Sequence, residues 1–299
     1  MGCVFFSGGV MNVAAQNHAD DKTADSSVEE EKSAGQKILT TIISILPWAI
    51  VATLLWAGIF VKPKAVIEEV VTAPINVRDN IFGIAHVDGD KYLVAGNYGK
   101  LLITEDGGKT WKDQDSTVDV HLQDISAWDE NRAVAVGNLG TTLMTEDGGE
   151  TWVSVDSPKS DVANKLLKVH TYPDGEALAV GEMGMIIRSM DYGKTWKMLR
   201  EENDIFMNDV VKVDANTIWV AAEYGQIFKS IDNGETWEEL FTDSPNSFAA
   251  MDAKNPQEIT IVGLAGVVAS TRDGGETWTY ISPEQSGMTE HLMDVQWSD

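Results

Sequence analysis

From Ile38 to Val61 the chain runs ILTTIISILPWAIVATLLWAGIFV without a charged residue. As a helix rising roughly 1.5 Å per residue this stretch is about 36 Å long, enough to cross a bilayer core. The pattern predicts a transmembrane helix over residues 38–61, acting as a signal anchor. A cleaved signal peptide is the competing reading, but its apolar core of about 7–15 residues follows a basic segment. Here the preceding tail is acidic, with Asp20, Asp21, Asp25 and Glu29 to Glu31 against Lys22, Lys32 and Lys37. Trp48 and Trp56 are candidate interface anchors. Lysines flank both ends (Lys32 and Lys37, then Lys62 and Lys64), so the positive-inside count barely discriminates orientation. The default for a short tail is an N-terminus in the cytoplasm, which puts the remaining chain on the periplasmic side of the inner membrane.

After residue 78 the long apolar run gives way to short ones, such as YLVAG, LLIT, AVAVG and TLMT, separated by turn residues. The segments TEDGGKTW (104–111), TEDGGETW (145–152), SMDYGKTW (189–196), SIDNGETW (230–237) and TRDGGETW (271–278) are one motif in five copies. Their aspartates, Asp106, Asp147, Asp191, Asp232 and Asp273, lie 41, 44, 41 and 41 residues apart. Seven residues before each stands a glycine: Gly99, Gly140, Gly184, Gly225 and Gly266. Each period reads as four strands of about 4–6 residues, the content of one propeller blade.

The motif has a mechanical explanation. Its aspartate can accept hydrogen bonds from backbone N–H groups just beyond it, and the glycine two positions on allows positive φ in a tight turn. The closing tryptophans, Trp111, Trp152, Trp196, Trp237 and Trp278, offer large apolar surfaces for burial between blades. These ten residues are therefore expected to serve the fold. The C-terminal HLMDVQW (291–297) aligns with HLQDISAW (121–128), which opens an earlier blade. Residues 65–77 are expected to add outer strands to it and leave no bare edge. The predicted architecture is all-β: six four-stranded blades, the last a composite, with five or seven as alternatives, preceded by one transmembrane helix. The predicted domains are an acidic disordered tail (1–37), the helix (38–61), a linker and possible closing strand (62–77), and the propeller (78–299).

Charge and composition narrow the function. The net charge is −25 and only five arginines occur, so there is no basic stripe for phosphates and nucleic acid is not an expected partner. The part beyond the helix carries −22 of that charge. Cys3 is the single cysteine, which excludes an intramolecular disulfide and a cysteine zinc cluster. The opening MGCVFFSGGV departs from the myristoylation pattern at Phe6. Lipid on Cys3 and a true start at Met11 remain the two readings of that opening. The histidines, His18, His86, His121, His170 and His291, are not in metal-ligand spacing. One carboxylate per turn also falls short of a calcium site, which takes about 6–8 oxygens. No cofactor, metal or small-molecule substrate is expected.

The five motifs and the G-x-x-G turns before them (GNYG, GNLG, GEMG, with AEYG and GLAG as variants) resemble Asp-box (BNR) repeats. The resemblance is to the photosystem II assembly and stability factor-like family, in its membrane-anchored bacterial branch, and it covers about three quarters of the chain. Sialidases also carry Asp-boxes, but their chemistry needs an arginine cluster, a tyrosine nucleophile with its glutamate, and an acid/base aspartate. The arginines here are scattered and no F/Y-R-I-P segment occurs, so a sialidase-like glycosidase is the remote alternative and no catalytic residue is assigned. What the resemblance implies is a non-enzymatic scaffold on an integral membrane protein complex, either a photosystem or a transporter. The family's photosystem factors use an arginine-rich surface, from which this acidic domain departs. Membrane-bound relatives accompany resistance-nodulation-division exporters, and the expected role is therefore transporter companion. The candidate partner-binding residues are Tyr98, Leu139, Met183 and Tyr224, at the tips of turns opposite the Asp-boxes, where they form an interface or pack on the adjacent blade.

Overall fold

The computed structural model describes residues 34–60, 75, 78–242 and 244–297. Residue contacts divide the chain into two units, Met1–Val70 and Val71–Asp299.

In the first unit, α1 (Ala34–Phe60) is 27 residues long, about 40 Å. It has no buried residue and is long and apolar enough to cross a membrane, the property of a membrane span or of a signal sequence. Pro47 lies inside it, Trp48 is exposed, and the Trp56 ring lies 5.7 Å from that of Phe60. Its hydroxyls bond back to the helix: Thr40 and Thr41 donate to backbone carbonyls one turn back, as does Thr53 to Ala49.

The second unit is five four-stranded antiparallel sheets, each a meander in chain order. Blade 1 is β1 (Ile81–Asp88), β2 (Lys91–Gly96), β3 (Leu101–Thr104) and β4 (Lys112–Gln114). Blade 2 is β5 (Leu122–Ala127), β6 (Ala133–Gly137), β7 (Thr142–Thr145) and β8 (Val153–Ser154). Blade 3 is β9 (Leu166–Thr171), β10 (Ala177–Gly181), β11 (Ile186–Ser189) and β12 (Lys197–Met198). Blade 4 is β13 (Met207–Lys212), β14 (Ile218–Ala222), β15 (Gln226–Ser230) and β16 (Glu238–Phe241). Blade 5 is β17 (Phe248–Asn255), β18 (Glu258–Gly263), β19 (Val268–Thr271) and β20 (Thr279–Ile281).

Second strands such as AVAVG, ALAVG and IWVAA are buried at every residue. They lie between two sheet neighbours with a blade packed on each face, so no solvent side exists to select polar residues. The core is accordingly interfacial: each cluster joins two adjacent blades, as where Val134 and Val136 of β6 meet Val169, Ile187 and Trp196. Inner strands pack in sequence, β1 on β5, β5 on β9, β9 on β13 and β13 on β17.

The expected repeat architecture of one Asp-box and four strands per blade is present five times. The composite sixth blade is not a sheet among the described residues. Residues 65–77 lie almost wholly outside them, and HLMDVQW is extended but forms no strand. That segment nevertheless runs beside blade 5. Leu292 N–H donates to the Gly263 carbonyl at 3.0 Å and Trp297 N–H to Asp252 Oδ2 at 2.7 Å. It stands where a sixth inner strand would, without a sheet of its own.

Candidate functional site

The Asp-box face is explained by its own turns. In blade 1, Asp106 Oδ1 accepts from Thr110 N–H at 2.8 Å and from the Thr104 hydroxyl at 2.8 Å, while Oδ2 accepts from the Thr110 hydroxyl at 2.6 Å. Asp147, Asp191, Asp232 and Asp273 repeat the pattern. The Thr110 hydroxyl, with its backbone N–H and the Thr104 hydroxyl, holds the Asp106 carboxyl down at about 2. Equivalent bonds place Asp232 and Asp273 at about 2 as well. Glycine two positions after the aspartate has positive φ, 86° at Gly108. The position between them is also left-handed and in two blades is not glycine, with Tyr192 at 60° and Asn233 at 58°. Trp152 and Trp196 are buried, and Trp237 and Trp278 pack half-buried against the neighbouring blade. Trp111 belongs to no core cluster among the described residues; its turn closes blade 1, which has no blade before it among them.

The opposite face is organised by the G-x-x-G turns between second and third strands. The first turn residue points inward: Asn97 Oδ1 accepts from Asn80 N–H at 3.0 Å, and Glu182 Oε2 from Lys165 N–H at 2.9 Å. The second points outward and is left-handed in every blade, with φ of 52° at Tyr98, 59° at Leu139, 58° at Met183, 56° at Tyr224 and 56° at Ala265. Large non-glycine side chains rarely accept this conformation. Tyr98 is 68% exposed, Leu139 70% and Tyr224 64%, whereas Met183 is half-buried. Tyr98 combines the two expected roles, since its ring lies 4.9 Å from that of His121 on the next blade while most of it faces solvent. His291 takes the corresponding place beside Ala265, whose N–H it accepts at 3.0 Å.

Two first turn residues, Glu223 and Leu264, reach the edge of a mouth that the repeat motif did not reveal. The inner strand of each blade carries a bulge at its second residue. The skipped residues are Phe82, Gln123, Leu167, Asn208 and Ala249, and all five line one cavity of about 390 Å³, with Met293 in the sixth place. A bulge re-aims a side chain that the pleat would otherwise pair. The available signal was the second position of the aligned inner strands, which varies freely after a first position that is always apolar. Deeper along the axis lies a charged chamber of about 460 Å³, lined among others by His86, Asp124, Lys168, His170, Asp209, Asp252 and Asp294. Its carboxylates tie inner strands together: Val169 N–H donates to Asp124 Oδ2 at 3.0 Å and Met251 N–H to Asp209 Oδ2 at 2.9 Å. Burial pushes the Asp124 carboxyl up, against the Lys168 charge and the Val169 N–H. Among the described residues no group of three or more His, Cys, Asp or Glu is placed to hold a metal ion.

Comparisons with known proteins agree with this architecture. A family model described as photosynthesis system II assembly factor YCF48 matches residues 114–245. No curated protein matches the chain. Among solved structures, YCF48 bound to D1 peptide is 20% identical, with 68% of this chain and 82% of that chain covered and a TM-score of 0.39. YCF48 from Cyanidioschyzon merolae is 15% identical over 69% of this chain and 98% of its own, with a TM-score of 0.37. An ancestral GH74 enzyme is 13% identical over 67% of this chain and 31% of its own, with a TM-score of 0.57. At that identity the likeness is one of fold. The chain is thus a BNR-type β-propeller that resembles the photosystem II assembly factor family.

Proposed function

We propose that the chain is a non-enzymatic binding module, held at a membrane by α1, that docks on an integral membrane protein complex through its G-x-x-G face. The observation that carries this reading is the outward display of Tyr98, Leu139 and Tyr224 in left-handed backbone on the face whose turns also edge an apolar-lined mouth through Glu223 and Leu264. Backbone strain of order 1–3 kcal/mol per site, repeated at equivalent tips, serves no packing need where the side chain is exposed. Aromatic and apolar groups clustered at a surface suit a protein partner. Phe82 and Met293, which line the mouth, add exposed apolar area to the same side.

The partner we favour is a transporter of the resistance-nodulation-division type, with the helix anchored in the inner membrane and the propeller on the periplasmic side. The acidic charge and scattered arginines of the domain support it over a photosystem. The photosystem assembly reading stands as second because the matching family model carries that description. Neither reading requires catalysis, and the Asp-box carboxylates are occupied by their own turns. The test is affinity purification of the full chain from detergent-extracted membranes, followed by mass spectrometry. Tyr98→Ala combined with Tyr224→Ala should lose the partner while the thermal transition is kept. Full recovery of partner by the double variant would defeat the proposal.

A further inference from the structure

We propose that His170 and Asp209 form a pH-sensitive clasp between blades 3 and 4 that regulates the docking mouth, an inference that rests on the G-x-x-G face being the docking surface. Asp209 is buried, 3% exposed. Its Oδ1 meets His170 Nε2 at 2.9 Å and accepts from Val210 N–H at 2.8 Å, while Oδ2 accepts from Met251 N–H. One carboxylate therefore joins the inner strands of blades 3, 4 and 5. Both clasp partners stand next to the mouth in the chain: Asp209 directly follows Asn208, and His170 lies three residues after Leu167. A change in how β9 sits against β13 is passed to those two mouth residues.

His170 is the one histidine among the described residues paired with a carboxylate. His86 contacts the Gly89 carbonyl, His121 stacks on Tyr98, and His291 accepts from Ala265. The charged groups facing His170 are Asp209 from β13, Asp124 from β5 and Lys168 on its own strand. His86 of β1, Asp252 of β17 and Asp294 of the C-terminal segment complete the chamber. The His170 side chain keeps 43% of its surface exposed, so desolvation pulls the imidazolium down only in part, and Lys168 adds to that pull. The Asp209 hydrogen bond and the charges of Asp209 and Asp124 outweigh both, and the net direction is up from 6.5. A histidine raised in the folded state contributes stability fully below its ordinary value and loses it as pH rises through the folded one. The neutral ring still offers one N–H, but the charge-assisted part of the bond is gone. The clasp is tight in acid and slack in alkali, in the range where no ordinary carboxylate or lysine titrates.

The experiment uses the full chain in lipid nanodiscs. The exchange of the histidine ring C–H, followed by mass spectrometry, gives the His170 midpoint. Amide exchange in β9 and β13, corrected for the chemical rate, is compared at about pH 5.5 and about pH 8. The expected results are a midpoint above 6.5, lowered by Asp209→Asn, and protection about threefold or more greater in acid. His170→Gln keeps a neutral donor and should abolish the pH difference without unfolding the domain. A midpoint at or below 6.5, or an undiminished pH difference in His170→Gln, overturns the clasp. Partner recovery is then measured at both pH values. Recovery that depends on Tyr98 and Tyr224 but is equal at both pH values overturns the regulation and leaves the docking face intact. Recovery indifferent to the tyrosines defeats the docking face, while the His170 titration is read independently of it.

Discussion

On the Asp-box face, each aspartate bonds residues within its own turn, and the tryptophans of blades 2 to 5 pack against the preceding blade. On the G-x-x-G face the inward turn residue completes the strand entry, and the outward one is mostly exposed at Tyr98, Leu139 and Tyr224. Both faces arise from the same period of about forty residues, yet one fixes the chain and the other displays it. Strain is distributed in the same way. The Asp-box turns put glycine at most left-handed positions, whereas the opposite tips hold tyrosine, leucine and methionine there. A turn that needed only to reverse direction would have taken glycine or asparagine.

The largest effect that sharpens this contrast is expected at the tryptophans. Trp196 is buried against Val134 and Val136 of blade 2, so Trp196→Ala should destabilise the domain by about 3–5 kcal/mol. Trp111 has the same motif position but no such neighbours among the described residues, and Trp111→Ala should cost about 1 kcal/mol or less. Chemical denaturation of the two variants checks the difference. Equal losses would mean that a further blade covers Trp111.

A smaller effect is expected at the aspartates. Asp191 accepts from the Thr195 N–H, the Thr195 hydroxyl and the Ser189 hydroxyl at 2.7–2.9 Å. Asp191→Ala should lower stability by about 1–2 kcal/mol at neutral pH. Burial acts to raise the Asp191 carboxyl, but these bonds outweigh it and the net direction is down. A depressed carboxyl contributes above its ordinary range and loses that contribution as pH falls through the folded value. The gap between wild type and Asp191→Ala should therefore close in acid, as read from urea midpoints across pH. A gap independent of pH would place the effect in the backbone and not in the charge.

Motif residues announced themselves because their chemistry is local. Asp106, Thr110 and Gly108 meet within a few positions, so spacing foretold the bond from the Thr110 N–H, though not those from the Thr104 and Thr110 hydroxyls. The blade number was legible only as far as the five motifs, because a closing blade has no local signature: HLMDVQW matches an inner strand in pattern yet belongs to no sheet among the described residues. The mouth and the chamber were not legible. Phe82, Gln123, Leu167, Asn208 and Ala249 share no side-chain type, and what unites them is a bulge at one position of each inner strand, with Met293 beside them outside any strand. The His170 contact with Asp209 bridges two blades across 39 residues of chain. Its placement follows from blade packing, which no spacing rule encodes.

The smallest expected change is the one that most directly tests why the tips are large. Leu139 is mostly exposed and holds φ at 59°, a conformation that costs an ordinary L-residue about 1 kcal/mol or more. Leu139→Gly removes that cost and loses little contact, while glycine's freedom in the unfolded chain offsets part of the gain. The net change should lie between none and about 1 kcal/mol of added stability, seen as an equal or slightly higher Tm. Blade 5 shows that the turn does not depend on a large side chain, since Ala265 keeps the same geometry at φ 56°. Partner recovery should fall in the same variant. A Tm lowered by several degrees would instead make Leu139 part of the scaffold and erase the difference between the faces. A tip residue that weakens the free protein and strengthens the complex is under the opposite demand from an Asp-box residue, and measuring both quantities in one variant separates the two demands.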